Sequence, residues 1–376
     1  MKDVSLYIHW PYCSRICPYC DFNVTRDRRQ ASQRTLFDAM IRDVRTQAAM
    51  IGPRRLASVF FGGGTPSLLP PEWAGELISE ARSLFNPYTD DVEITLEANP
   101  TDAEVARFEG FRAGGVNRLS LGVQSLDDAA LKFLGRNHSA TEAIHGIETA
   151  QKVFGRVSLD LIYALPDQTI ASWRDELNRA AGLGVEHISP YQLTIEHTTA
   201  FGRAVARGLW SPPDEDLAEA FYFATQETLE LLGFEAYEIS NHARGSAARS
   251  VHNVFVWQGI DYIGVGPGAH GRLTIDGVRH ATTAIGDLKA YAARVTATGI
   301  GHDREALPLL EAEEEAAMLG LRMAEGIALD RFSLLDLPAR AAPLIEDGFM
   351  AIAAGRLRAT AKGRVVLDRL LVNLLT

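Results

Sequence analysis

Three cysteines, Cys13, Cys17 and Cys20, lie close together near the start of the chain, and the chain contains no others. Thiolate sulfur is a soft ligand that suits iron–sulfur clusters, zinc and copper. The C-x3-C-x2-C spacing brings three sulfurs into one loop, where they can cap three corners of a cubane. A [4Fe–4S] cluster normally takes four thiolates, so one iron would stay open to an exogenous ligand. The spacing therefore predicts a [4Fe–4S] site, and a zinc site completed by His9 is the rival interpretation.

The bulk properties of the chain restrict where and with what it works. An odd, clustered cysteine count indicates a metal site in a reducing compartment rather than a disulfide framework. The first residues show no charged segment followed by an apolar run, and no window approaches about 18 apolar residues. We therefore expect a cytoplasmic protein without a transmembrane segment, for which peripheral membrane contact stays open. The net charge of −11 argues against nucleic acid as the main partner, because phosphate binding needs clustered Lys and Arg.

Strand-like runs alternate with segments of helical spacing over roughly the first half of the chain. In the first helical segment Leu36, Met40, Val44 and Ala48 fall on one face. This alternation predicts right-handed crossovers and a parallel sheet, and six units predict an α/β fold with a partial (β/α)6 barrel rather than the eight-unit closed one. The predicted strands are Val4 to Trp10, Ser58 to Phe61, Val92 to Ala98, Arg118 to Ser125, Val157 to Leu165 and His187 to Thr194, and the predicted helices cover 72–86, 101–114, 139–153 and 171–183.

The remainder of the chain has a different pattern. Asp214 to Leu232 predicts a helix, and the dense glycines between Gly259 and Gly271 predict a loop system. Helical segments at Glu311 to Glu325, Arg340 to Asp347 and Lys362 to Leu374 predict a small, mainly helical, winged-helix-like C-terminal domain. The predicted organisation is a partial barrel over 1–240, a glycine-rich connecting region with an HNxxxW segment over 241–304, and the C-terminal domain over 305–376.

Two neighbouring predicted strands alternate apolar and polar residues. Period-two alternation places each set on its own face, whereas a parallel sheet covered on both faces should be almost continuously apolar. The polar face is therefore expected to line a cavity, and Asp160 in the next strand adds a carboxylate too costly to bury without a role. Edge strands with a solvated face are the alternative. The polar sets are Glu93, Thr95, Glu97 and Asn99 in one strand and Ser120, Gly122 and Gln124 in the other.

The cysteine motif, with the aromatic Tyr19 before its last cysteine, resembles the signature of radical S-adenosylmethionine (SAM) proteins. The chain from Tyr7 to the C-terminal domain resembles one branch, the family of oxygen-independent coproporphyrinogen III oxidases and related heme chaperones. The segments that carry the resemblance are Tyr7-Ile8-His9-Trp10-Pro11, Phe61-Gly62-Gly63-Gly64-Thr65-Pro66-Ser67, Glu97-Ala98-Asn99-Pro100, Gly122-Val123-Gln124-Ser125, Asp160-Leu161-Ile162-Tyr163-Ala164-Leu165-Pro166 and Tyr237-Glu238-Ile239-Ser240-Asn241.

The resemblance implies that SAM binds the open iron of the cluster and is cleaved by one electron to a 5′-deoxyadenosyl radical. SAM carries a sulfonium, an ammonium, a carboxylate and a ribose diol, so a cavity offering carboxylates, an amide and an arginine matches its groups. The implied SAM residues are Gly63, Gly64 and Thr65 for the methionyl part, Tyr7 and Tyr19 beside the nucleoside, and Glu97, Gln124, Arg136 and Asp160 as further contacts.

A second segment points to heme. The chaperone branch has an HNxxYW motif tied to heme binding, which His252, Asn253 and Trp257 match, while Val256 replaces the tyrosine. Because a neutral imidazole is a standard axial heme ligand, His252 is the candidate. The alternative is that this histidine and the aromatics beside it are structural.

Two features separate this chain from the oxidases of the family. Phe22 stands where the oxidase has a fourth cysteine, and twelve residues precede Cys13 where the oxidase has a substantial extension. The resemblance thus implies a heme chaperone that delivers heme to recipient hemoproteins, without coproporphyrinogen oxidase activity, and leaves SAM cleavage open. The alternatives are a radical enzyme acting on a tetrapyrrole and a zinc-stabilised binding module.

Overall fold

The computed structural model describes residues 1–26, 29–86 and 91–375, with residues 102 and 103 described by their backbone alone. Twelve strands form one sheet, in which β1 to β6 and β9 run parallel in the order β9-β1-β2-β3-β4-β5-β6. These strands are β1 (Asp3–Trp10), β2 (Arg55–Gly63), β3 (Glu93–Ala98), β4 (Arg118–Gln124), β5 (Arg156–Tyr163), β6 (His187–Gln192), β7 (Glu235–Ala236), β8 (His242–Ala243), β9 (Tyr262–Val265), β10 (His270–Ile275), β11 (Val278–Ala284) and β12 (His302–Ala306).

Helices connect the parallel strands and cover the apolar face of the sheet. Leu36, Met40 and Val44 on α1 are buried, as their spacing predicts. The partial barrel of six strand–helix units is thereby confirmed, and the sheet stays open because β6 pairs next with the antiparallel β8. The helices up to residue 300 are α1 (Gln30–Ile51), α2 (Pro71–Leu84), α3 (Asp102–Val105), α4 (Phe108–Ala113), α5 (Asp128–Phe133), α6 (Ala140–Val153), α7 (Ile170–Gly182), α8 (Ala200–Ala206), α9 (Glu215–Leu231), α10 (Val251–Trp257) and α11 (Leu288–Thr298).

The glycine-rich stretch after Gly259 is a loop system only in part: Gly259, Gly266 and Gly268 lie in turns, as predicted, whereas Gly264 and Gly271 lie in strands. It contains β9 and β10, and β9 extends the parallel sheet beside β1. A Cβ on Gly264 would overlap the carbonyl of His270, and one on Gly271 would lie 2.5 Å from Thr282 Oγ1. These glycines therefore permit close packing of the backbone within strands.

Several element boundaries differ from the sequence prediction. The segment 101–114 forms two short helices, α3 and α4, instead of one. Arg107 lies at the break, where its Nη1 donates to the carbonyl of Ser67 at 2.6 Å. The fifth strand ends at Tyr163 and the sixth at Gln192, each two residues earlier than the apolar pattern predicts.

The C-terminal region has a separate apolar core. Its elements are α12 (Leu309–Gly320), α13 (Leu337–Glu346), α14 (Ala361–Val365), α15 (Leu367–Leu375) and an antiparallel sheet of β13 (Ile327–Ala328), β14 (Met350–Ala353) and β15 (Arg356–Ala359). The mainly helical domain is confirmed, although two of its predicted helices differ: one ends at Gly320, and the last is divided at Val366. Within the described residues no helix is long and apolar enough to cross a membrane. The boundaries at 240 and 304 stay predictions.

Candidate cofactor site

A cavity of about 510 Å³ opens at the carboxyl ends of the parallel strands. This volume is within the range of small-molecule sites, and cofactors in parallel α/β folds bind at this end of the sheet. Five members of the predicted polar set line the cavity, Glu97, Asn99, Ser120, Gly122 and Gln124, whereas Glu93 and Thr95, nearer the start of β3, do not. The predicted cluster and SAM residues that line it are Cys13, Cys17, Cys20, Tyr19, Gly63, Gly64, Thr65, Glu97, Gln124, Arg136 and Asp160.

The three thiols belong to one loop that follows β1. The loop is fastened by backbone hydrogen bonds, from Cys13 N to Thr25 O at 2.8 Å and from Thr25 N to Pro11 O at 2.7 Å. All three cysteines are free and half-buried. Burial, with smaller contributions from the nearby Cys13 and Cys17, raises the pKa of Cys20 to about 11. The thiols thus lie within electrostatic range of one another and line the same cavity.

This arrangement fits a cubane cluster better than a single zinc ion. His9, the proposed fourth zinc ligand, has both ring nitrogens engaged: Nδ1 with the Tyr7 hydroxyl at 3.1 Å and Nε2 with Asn23 O at 3.0 Å. Across the described ranges no three His, Cys, Asp or Glu side chains converge closely enough to hold one ion. Three thiols in one loop can bind three irons of a [4Fe–4S] cluster, and His9 is engaged elsewhere, so the donor set fits a cluster.

The glycine triplet at the end of β2 lets the backbone pass directly under the cysteine loop. Gly64 N donates to Trp10 O at 2.8 Å, and Thr65 N donates to Tyr12 O at 2.9 Å. A Cβ on Gly64 would lie 2.8 Å from Tyr12 O and 3.0 Å from Cys13 Sγ. Two backbone segments and a thiol therefore meet where only glycine fits.

We expect Gly64→Ala to impair cluster assembly, because the added methyl group must displace Cys13 or the backbone carbonyls. The clash should also lower the free energy of unfolding by about 1–3 kcal/mol. Gly155→Ala is a matched control, since nothing lies within 4 Å of a Cβ there. Iron and sulfide content after anaerobic reconstitution measures the effect, and equal content in the two variants would contradict it.

Arg136 connects the cysteine loop to the strand ends. Its Nη1 donates to Cys17 Sγ at 3.3 Å and to the Tyr19 hydroxyl at 3.4 Å, while Nη2 donates to Gly122 O at 2.9 Å and to the Asn99 side chain. Its Nε is buried without a hydrogen-bond partner among the residues that the structure describes. A guanidinium so placed can meet a carboxylate or a ribose oxygen in the cavity.

The backbone of Gln124 is in the left-handed region, at φ 67°, where β4 ends in an irregularity of its register with β5. Non-glycine residues at positive φ are uncommon and concentrate at functional sites. A Cβ on Gly122 would lie 3.0 Å from Gln124 Nε2 and 3.4 Å from Arg136 Nη2. The glycine thus leaves room for two polar side chains that line the cavity.

Two carboxyl groups give the cavity its electrostatic character. Burial and the nearby Asp160 raise the pKa of Glu97 to about 8, against a backbone hydrogen bond from Gly63 that lowers it. Burial raises the pKa of Asp160 to about 6, although it accepts hydrogen bonds from Ser120 Oγ at 3.2 Å. Such a pair favours a cationic ligand, because the ligand would relieve both desolvation and mutual repulsion.

Tyr7 and His252 lie outside the lining of this cavity. Tyr7 is in register with Phe60, three positions before Gly63 on the neighbouring strand, so its ring lies deeper in the barrel than the expected place beside a nucleoside. It stacks on His252 with ring centroids 6.2 Å apart, and His252 stacks on Phe60 at 4.7 Å.

His252 is held at the opposite end of the barrel by α10. The Glu93 carboxylate accepts the backbone N–H groups of Val251 at 3.0 Å and His252 at 3.1 Å, and it pairs with Arg156 at 2.7 Å. Burial lowers the pKa of His252 to about 4, so its imidazole is neutral, as an axial ligand requires. The two cavities beside it have volumes of about 340 and 230 Å³. Both are smaller than the cofactor cavity, and the His252 side chain is buried, so a porphyrin macrocycle would reach its imidazole only after a local rearrangement.

Sequence reasoning missed two residues that organise the site, Tyr191 and Arg118, and placed a third, Glu93, in the wrong surroundings. Tyr191 lines all of these cavities and is the residue at which they meet. Arg118 is buried near both Glu97 and Asp160 and lowers the pKa of each. Glu93 belongs to the polar set of β3, but it anchors α10 instead of facing the cofactor cavity. The alternation of polar and apolar residues indicated which face of β3 carries Glu93. No neighbouring residue indicated its hydrogen-bond partner Val251, which lies 158 residues away in the chain.

Comparison with known proteins identifies the family of the chain. A family model described as the radical SAM superfamily matches residues 7–180, and one described as the HemN C-terminal domain matches 307–366. A bovine (Bos taurus) protein named radical S-adenosyl methionine domain-containing protein 1, mitochondrial, is 39% identical, covering 100% of this chain and 88% of the relative. The chain belongs to the radical SAM superfamily. The resemblance inferred from the sequence is thereby confirmed.

Other relatives in the superfamily are named heme chaperone HemW. The Bacillus subtilis protein is 36% identical, covering 88% of this chain and 86% of the relative, and the Escherichia coli protein is 39% identical, covering 73% and 71%. The structure of coproporphyrinogen III oxidase (HemN) from Escherichia coli, described as a radical SAM enzyme, superimposes with a TM-score of 0.83 at 24% identity. It covers 100% of this chain and 90% of that one, and establishes a shared fold.

Proposed function

We propose that this protein is a heme chaperone of the HemW type that holds a [4Fe–4S] cluster on Cys13, Cys17 and Cys20, binds SAM beside it and delivers heme to recipient hemoproteins. The observation that carries the proposal is the convergence of the thiols and the polar SAM candidates on one cavity. The heme part of the proposal rests on the similarity to relatives that are named heme chaperone HemW. Free thiols that hold a cluster favour a reducing location, for which we propose the cytoplasm.

Each part of the cavity has a role in this proposal. Gly63, Gly64 and Thr65 hold the methionyl part of SAM, and Arg136 and Gln124 contact its polar groups. Glu97 and Asp160 face its positive charge, while Tyr19 lies beside the nucleoside. When bound, the cluster supplies the electron that SAM cleavage requires.

We propose His252 as the axial heme ligand, in a state in which α10 has moved to admit the macrocycle. We expect His252→Ala to shift the Soret band and weaken heme binding by about tenfold or more, because a coordinate bond is lost. A heme titration of both proteins under anaerobic conditions measures this. His145→Ala, which changes an exposed histidine on α6, is the control. If the His252 variant keeps the parent's Soret position and affinity, another residue is the ligand.

The second candidate function is a radical enzyme acting on a tetrapyrrole, favoured by the shared fold with the oxidase. We expect no conversion of coproporphyrinogen III to protoporphyrinogen IX, because Phe22 replaces the fourth cysteine of the oxidase motif. Product analysis with reconstituted protein, SAM and reductant tests this on the same sample as the heme titration. Turnover above the enzyme-free background that depends on SAM would show the oxidase function instead.

A further inference from the structure

Two arginines line the cavities beside His252 among the residues that the structure describes, and one of them is placed to meet a ligand. Arg118 lines the cavity of about 230 Å³, where it is buried with its Nε 4.0 Å from the carboxylate of Glu93. Arg322 lines the cavity of about 340 Å³ and pairs with Asp368 at 2.7 Å. The Asp368 side chain is 88% exposed, and an ion pair with an exposed carboxylate contributes little. The Arg322 guanidinium can therefore exchange this partner for an anionic group of a ligand.

Arg322 lies against the segment that carries His252. Its guanidinium carbon is 5.7 Å from the ring centroid of Trp257, and both residues line the same cavity as His252 and Val256. The Nη1 of Arg322 donates to the carbonyl of Met318 on α12 at 2.8 Å. Arg322 is thus held from outside α10, the helix that moves in the proposed function to admit a macrocycle. The guanidinium can keep its place while the cavity widens.

The lining of this cavity matches the chemistry of heme in three respects. Heme offers an iron at its centre, two flat apolar faces and two propionate carboxylates at one edge. The imidazole of His252 suits the iron, and the apolar side chains of Ile239, Val256 and Trp257 suit the faces. A guanidinium binds a carboxylate through two parallel hydrogen bonds, which an ammonium group cannot do. Arg322 supplies this third group.

We propose that Arg322 binds a propionate of heme and gives up its ion pair with Asp368 to do so. The inference rests on the proposed function, because it requires heme at His252. It assigns to the C-terminal domain a residue of the heme site that lies outside the HNxxxW segment. The ligand class is a metalloporphyrin with a free carboxylate at its edge.

The test compares heme with its dimethyl ester, which keeps the iron and the macrocycle but removes the charge of both propionates. Each porphyrin is titrated anaerobically into the parent protein, Arg322→Gln, Arg322→Lys and Asp368→Asn in one buffer with the same cosolvent. The Soret band reports both the affinity and the ligation of the iron. Arg369→Gln, which changes an exposed arginine on α15 of the same domain, is the matched control.

We expect the parent to bind heme about tenfold more tightly than the ester, since a charge-assisted hydrogen bond is lost. Arg322→Gln should bind both porphyrins as weakly as the parent binds the ester, with an unchanged Soret position because His252 remains the ligand. Arg322→Lys should fall between the two, and Arg369→Gln should match the parent. Asp368→Asn should bind heme at least as tightly as the parent, because it frees the guanidinium.

Equal affinity of the parent for heme and for the ester would overturn the assignment of Arg322 and leave the proposed function standing. An equal loss of affinity for both porphyrins in Arg322→Gln would do the same, since it would indicate a structural role. So would an Asp368→Asn variant as weak as Arg322→Gln, which would assign the effect to the ion pair. Failure of the parent to bind either porphyrin would overturn the proposed function, and with it this inference.

Discussion

Cys17→Ala is expected to abolish the [4Fe–4S] cluster. The chain has three cysteines, so no other thiol can replace the missing ligand. Loss of Cys17 also removes the sulfur that accepts a hydrogen bond from Arg136 at 3.3 Å, which leaves a buried guanidinium less well satisfied. Iron and acid-labile sulfide analysis, with the visible absorption of an anaerobic reconstitution, measures the outcome. We expect the parent to hold about four irons and the variant close to none.

The choice of control matters, because a reconstitution can fail when a protein is misfolded. Cys17→Ser keeps the size of the side chain and should lose the cluster as well, while circular dichroism of all three proteins should coincide. Stoichiometric zinc without sulfide in the anaerobic parent would contradict the cluster and revive the zinc interpretation. His9→Ala would then test the fourth ligand, although both nitrogens of His9 already have hydrogen-bond partners.

Asp160→Asn should weaken SAM binding by about tenfold to a hundredfold while the cluster stays intact. The substitution keeps the shape of the side chain but removes its charge, and a hydrogen bond to a charged group contributes about 1.5–3 kcal/mol. The neighbouring Glu97 would then face the sulfonium alone. Calorimetric titration of the holoprotein with SAM measures the change. Asp303→Asn, on the exposed edge strand β12, is the control, and equal affinity of the two variants would remove Asp160 from the site.

The same site predicts how SAM binding depends on pH. The pKa values of Glu97 and Asp160, about 8 and about 6, are raised, so the free protein retains a proton on Glu97 at neutral pH. A bound cation favours the ionised form, so binding should release about one proton below pH 8. The affinity for SAM should therefore rise with pH up to about 8 and then level off. Titrations in buffers of different ionisation heats measure the proton, and Glu97→Gln should abolish its release.

Much of this site follows from local sequence. The cysteine spacing, the glycine triplet and the alternation in β3 and β4 depend on neighbouring residues, and the cavity brings them together. Local patterns do not show how far along a strand a residue lies from the cavity. Tyr7 lies on the inward face of β1, yet its register with Phe60 places it away from the cavity lining.

The lack of long-range information in local patterns also explains the wrong predictions after residue 240. Gly264 and Gly271 look like loop residues because glycine is common in loops, and their role is visible only once His270 and Thr282 are placed beside them. His252 likewise belongs to a helix whose position depends on Glu93, a contact between residues far apart in sequence. A sequence motif can identify a residue such as His252, but contacts with residues far away in the sequence determine its surroundings.

The loop that carries the cysteines is completed by chain that is synthesised much later. Asn23 Nδ2 donates to the carbonyls of Pro267 at 2.8 Å and Gly286 at 2.9 Å, and β1 has β9 as one of its two neighbours. During translation the thiols leave the ribosome more than 240 residues before these partners exist. Contacts of such long sequence separation form late in folding. The proposed cluster would therefore be enclosed by a loop whose last contacts form only when synthesis is nearly finished, and until then the three thiols would need a reducing environment.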